Sequence, residues 1–126
     1  MKYLLIFLTF LTFDCSDVKD PVTQEVQKEA LEELAEEIKA IADESICSDE
    51  YSCDFIGFGS KPCGGFWSYL VYSNSIDTVN LVTKVKEYNK MEKQYNQKWG
   101  IMSDCMVVMP PTSVACENGK CIAVYN

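Results

Sequence analysis

Seven cysteines and no histidine define the chemistry open to this chain. Without an imidazole there is no Ser-His or Cys-His nucleophile activation, and the commonest zinc ligand is missing. No Cys-x-x-Cys redox pair occurs among Cys15, Cys47, Cys53, Cys63, Cys105, Cys116 and Cys121. In an oxidising compartment six of them are expected to pair, which leaves neither a thiolate nucleophile nor a cysteine-ligated metal. Carboxylates remain, and Asp54 with Asp104 is the pair one would nominate for acid–base work on a sugar. With 19 acidic residues in 126, some such pair is inevitable, and both read better as loop hydrogen-bond acceptors. The expectation is a protein without catalysis, cofactor or metal.

The most unusual segment is Ser60-Lys61-Pro62-Cys63-Gly64-Gly65, followed by Phe66 and Trp67. Pro62 fixes one torsion, Cys63 anchors the loop, and Gly64 and Gly65 admit left-handed backbone. Such a loop is either a structural corner or a rigid surface for a partner. In the second case Lys61, Pro62, Gly64, Gly65, Phe66 and Trp67 form the contact and the aromatics are its anchors. A clamped loop also suits a proteinase inhibitor, although a lysine before proline is a poor cleavage site. A third reading takes Trp67, Tyr69, Tyr72, Tyr88, Tyr95 and Trp99 as a sugar-stacking surface. Helical spacing places Tyr88, Tyr95 and Trp99 in the core instead.

Location follows from the front of the chain. Residues 1–13 offer Lys2 and then an apolar run too short to anchor in a bilayer, which reads as an export signal. Cys15 follows directly, where a lipoprotein carries its acylated cysteine. Leu11 lies at minus four and Asp14 replaces the usual small residue, so the lipobox is partial. Ser16, Asp17 and Asp20 resemble the acidic stretch of surface-exported lipoproteins. The expected organisation is a signal peptide over 1–14, a tether over 15–22 and one domain over 23–126. Lipid-anchored residence at the outer membrane or cell surface is expected, with a soluble periplasmic or secreted form as the alternative. Residues 15–54 hold thirteen acids against three lysines, and 55–126 hold seven lysines against five acids. A net charge of -8 argues against nucleic acid as a partner and leaves a protein or glycan.

These groups need elements to position them. Val26, Ala30, Leu34, Ile38 and Ile41 recur at helical spacing between about Thr23 and Ser45, with Thr23 as a cap and glutamates on the other faces. A second helix starts at an Asp77 cap, carries Leu81, Val85, Tyr88, Tyr95 and Trp99 on one side, turns its lysines and asparagines outward, and stops at Gly100. Asp54 to Gly59 reads as a strand, Trp67 to Tyr72 as a strand or short helix, and Met106 to Met109 as a strand before Pro110-Pro111. Asn118-Gly119 predicts a type I′ hairpin between Val114-Ala115-Cys116 and Cys121 to Tyr125.

That register sets Glu117 opposite Lys120 and Cys116 opposite Cys121, so a Cys116–Cys121 bridge is expected. Proximity then pairs Cys47 with Cys53 and leaves Cys63 to Cys105, one of fifteen possible connectivities. The last bridge should stabilise by about 3 to 4 kcal/mol. The expected fold is α+β, a small antiparallel sheet with a C-terminal hairpin packed against two helices and stapled by disulfides.

Lys61-Pro62-Cys63-Gly64-Gly65, Trp67, Tyr69, Tyr72-Ser73, Tyr88-Asn89, Ser103-Asp104-Cys105 and the Cys116 to Cys121 segment together resemble a family of small uncharacterised bacterial exported proteins and lipoproteins. The likeness covers about residues 47–121, with Phe66 where proline is expected, and it implies export and disulfides but no activity.

Overall fold

The computed structural model describes residues 22–126. The expected signal peptide, Cys15 and nearly all of the tether lie outside the described residues. The order is α1 (Gln24–Asp43), β1 (Cys53–Phe58), β2 (Ser68–Ser73), α2 (Thr78–Trp99), β3 (Ser113–Glu117) and β4 (Lys120–Val124). The class is α+β as expected. The strands form two separate antiparallel pairs, β1–β2 as the small sheet and β3–β4 as the C-terminal hairpin.

Thr23 caps α1 by accepting the Val26 amide, and Asp77 caps α2 by accepting that of Asn80. Gly100 ends α2 at φ 61°, a left-handed conformation that glycine adopts without penalty. The buried stripe of α1 runs through Leu31, Leu34, Ala35, Ile38, Ile41 and Ala42. It begins later than expected: Val26 and Ala30 stay exposed, although α2 reaches this end of the helix, where Gln24 donates to the Tyr95 hydroxyl. The core lies between the helices and the first sheet, with Ile38, Leu81 and Val85 fully buried and the Phe58 and Tyr88 rings stacked 4.8 Å apart. Tyr95 packs against this core, while Trp99 is half-buried and donates its indole N–H to Gln27 Oε1.

The hairpin forms in the expected register, Glu117 opposite Lys120 and Cys116 opposite Cys121, with Asn118 at φ 50° and Gly119 at φ 76°. The bridges do not follow it. Cys47 joins Cys116 and Cys53 joins Cys121, so the expected Cys47–Cys53 and Cys116–Cys121 pairs are absent. Opposed strand residues point to the same face, and that face lies against the chain carrying Cys47 and Cys53. The Cys47 amide donates to Gly119 O across this contact. Each sulfur therefore reaches to the body of the domain and not to its cross-strand neighbour. Cys63 does pair with Cys105.

Met106 to Met109 form no strand; residues 101–111 are irregular. Pro110 and Pro111 remove two donors, and the segment has side-chain anchors in place of a ladder partner. Lys61 Nζ donates to Met106 O at 2.7 Å, and the Tyr69 hydroxyl to Val108 O at 3.4 Å.

Candidate functional site

β1 runs into the loop of residues 60–65, and two glycines decide what happens there. A Cβ on Gly57 would stand 2.3 Å from Cδ2 of Phe66, so that ring lies directly on glycine backbone. A Cβ on Gly59 would stand 2.8 Å from Cδ1 of Trp67, and Gly59 has φ +84°. Both positions exclude a side chain, Gly59 on conformation as well. The rings are thus seated on the strand and its exit, with Phe66 still 39% and Trp67 44% exposed. Phe66 meets Tyr69 edge-on at 5.9 Å, and Tyr69 meets Phe55 in the same way. Edge-to-face packing restricts ring motion and leaves a face free for contact.

The seat is held from below by α2. Asn89 accepts the Gly59 amide at 2.7 Å and donates to Gly57 O at 3.0 Å, taking the place of a neighbouring strand. Glu92 accepts the Ser60 amide at 2.6 Å, and Asn96 donates to Ser60 O at 2.7 Å. Asn89, Glu92 and Asn96 follow one another at three and four residues, so they share one face of the helix. This corrects the expectation that the asparagines of α2 point outward, since Asn96 is buried and Asn89 is committed to the sheet. The Tyr88 hydroxyl also donates to Glu92, and burial, then that carboxylate, push its ionisation far above the ordinary tyrosine value.

Lys61 is not the outward contact residue that the sequence predicts. Its side chain is only 4% exposed, so it does not offer its charge to a partner. It turns inward to Asp104 Oδ1 at 2.9 Å and to Met106 O, with its ammonium 5.1 Å from the Trp67 ring centroid. A buried ammonium needs this complement of acceptors and aromatic surface. The Lys61 hydrogen bond, then that from the Met106 amide, hold the exposed Asp104 carboxyl below the usual aspartate range. Lys61 and the Cys63–Cys105 bridge together fasten the loop to residues 104–106.

Of the other loop residues, Pro62 is half-buried, while Gly64 and Gly65 are exposed at φ 108° and 81°. A cleft of about 340 Å³ runs beside Phe66 and Gly65, walled by Lys90 and Lys93 of α2. The 101–111 segment adds Met102, Met106, Val107 and Met109, each at least 68% exposed. The strand expected over Met106 to Met109 hid three of these residues, and Met102 lies outside it; the signal was the apolar run Met106 to Met109 ending at Pro110.

Asp54 and Asp104 are engaged separately. Asp54 sits opposite Tyr72 on the β1–β2 ladder and accepts the Phe55 amide, while Asp104 is tied to Lys61. The Cys47, Cys53 and Cys121 sulfurs lie within 4.8 Å of one another, but each is bridged and offers no thiolate to a metal. Among the described residues no helix is long and apolar enough to cross a membrane, and three disulfides are compatible with export. Protein-family models, curated proteins and solved structures give no match to this chain.

Proposed function

We propose that this chain is an exported lipoprotein, acylated at Cys15 and held at the outer membrane or cell surface, whose domain binds another macromolecule without catalysis. The observation that carries this reading is the pair of half-exposed rings, Phe66 and Trp67, fixed on Gly57 and Gly59. Aromatic side chains locked before contact lose little entropy on binding, which is the usual character of an energetic anchor. Exposed Met102, Met106 and Met109 on the segment tied to this loop favour a protein partner over a glycan, since flexible thioethers adapt to an irregular apolar surface. The inward Lys61 weighs against the inhibitor reading, which needs an outward reactive-site side chain. The acidic first helix then acts as spacer and shield.

The test is chemical cross-linking in intact native cells expressing either the natural chain, Phe66→Ala/Trp67→Ala, or Val79→Ala as a control at an exposed position on α2. Quantitative mass spectrometry is expected to find at least one partner whose recovery drops with the double variant and holds with the control. Loss of one anchor of about 2 kcal/mol corresponds to roughly 30-fold weaker binding. Equal recovery of every cross-linked species from all three strains, with far-UV circular dichroism unchanged, contradicts the assignment.

A further inference from the structure

The two bridges that tie the hairpin to the domain stand side by side, and this arrangement supports a chemistry of its own. Cys47, Cys53 and Cys121 sulfurs lie within 4.8 Å of one another, although Cys47 is bonded to Cys116 and only Cys53 to Cys121. Cys116 is exposed, Cys121 and Cys53 are half-buried and Cys47 is buried. Of these four, Cys116 is therefore the one an external thiolate meets first. Cys116 and Cys121 are also direct cross-strand partners, a relation whose typical Cα separation suits a disulfide.

We infer that Cys116 is a thiol-exchange site through which a small-molecule or protein thiol converts the observed pairing into Cys47–Cys53 and Cys116–Cys121. The thiolate attacks the Cys116 sulfur, forms a mixed disulfide there and expels Cys47 as a thiolate. Cys47 attacks the adjacent Cys53 sulfur, forming Cys47–Cys53 and expelling Cys121. Cys121 then attacks Cys116 in the mixed disulfide, closing the cross-strand bridge and returning the external thiolate. Each step makes one S–S bond and breaks one, so two bridges persist and the thiol is regenerated.

The product differs in what it holds together. In the observed pairing both bridges join the hairpin to the body of the domain; after exchange each closes only a local loop. The hairpin then keeps the Cys47 amide to Gly119 O contact and the Lys120 ammonium against Asp43 O as non-covalent ties. This inference stands apart from the proposed binding role, because it uses only the cysteines and the hairpin register.

The experiment treats folded, oxidised protein with reduced glutathione at mildly alkaline pH, quenches with acid and alkylating agent, and maps bridges by unreduced proteolysis. Asp49 and Glu50 allow cuts between Cys47 and Cys53, and Glu117 and Lys120 between Cys116 and Cys121. Peptides carrying Cys47–Cys53 and Cys116–Cys121 are expected within hours in about a tenth of the molecules or more, the range of uncatalysed exchange. Cys63 and Cys105 are also exposed, so their bridge can open to the thiol, and its peptides are scored separately from those of the exchange. In Cys116→Ser, freed Cys47 is expected to attack the neighbouring bridge with no added thiol. Stepwise appearance of free thiols in the natural chain without the new peptides overturns the inference, and the natural-chain arm decides it alone if the variant does not fold.

Discussion

Replacing Cys47, Cys53, Cys116 and Cys121 by serine is expected to free the C-terminal hairpin and to remove about 7 kcal/mol of stability. The two bridges span 69 and 68 residues, so they close nearly the same loop and their entropy is not simply doubled. Closing that loop the first time is worth about 4 kcal/mol. The second bridge then closes only the small ring made by residues 47–53 and 116–121, worth about 3 kcal/mol. Loss of either bridge alone should therefore cost about 3 kcal/mol, and loss of both about 7, comparable with the whole stability of a small domain. What remains is a set of surface ties, among them the Cys47 amide to Gly119 O and the Lys120 ammonium to Asp43 O. No residue of β3 or β4 is buried, none belongs to the core cluster, and an isolated two-stranded hairpin is marginal in water. Urea unfolding of the single-bridge and four-serine variants, with amide exchange over residues 113–124, checks both the size and the place of the effect. Protection of those amides within tenfold of the natural chain contradicts it.

Asn89→Ala is expected to cost about 2 to 4 kcal/mol and to unseat the aromatic pair, with Tm falling and tryptophan emission shifting red. Asn89 satisfies one amide and one carbonyl of β1 and its exit, on Gly59 and Gly57, both buried. Each buried backbone group left without a partner costs about 1 to 3 kcal/mol. Because Phe66 and Trp67 rest on these same two glycines, displaced backbone moves the rings. Asn89→Asp keeps the acceptor for Gly59 and loses the donor to Gly57, so it should fall about midway between the natural chain and the alanine variant. A Tm within 1 °C of the natural chain for Asn89→Ala, about a tenth of the expected effect, would mean that water replaces the side chain and that the seat is held elsewhere.

What the sequence makes legible here is local. Thr23 and Asp77 act through a side-chain oxygen on an amide three residues on, Gly100 and Asn118-Gly119 through their own backbone, and each sits where the sequence predicts it. The core stripe of α2 through Leu81, Val85 and Tyr88 is likewise a matter of helical spacing. The disulfide pairing was not legible, because the nearest cysteines along the chain are not the nearest across the contact between hairpin and body. Asn89, Glu92 and Asn96 lie at helical spacing, yet polar residues on a helix face read as solvated until a strand edge is known to lie opposite. The same holds for Lys61, whose burial depends on Asp104 and Met106, more than forty positions away. Phe66 and Trp67 stand out in the sequence; their glycine seats, on β1 and just past its end, become visible only once β1 and β2 are paired.

An exported, tethered domain held by three bridges is tested most directly by the intact mass of the protein purified from its native membrane, before and after reduction and alkylation. The expected result is a chain beginning at Cys15 with a diacylglyceryl or triacyl adduct, and six alkylated thiols that appear only after reduction. An unacylated chain, or thiols that alkylate before reduction, contradicts it.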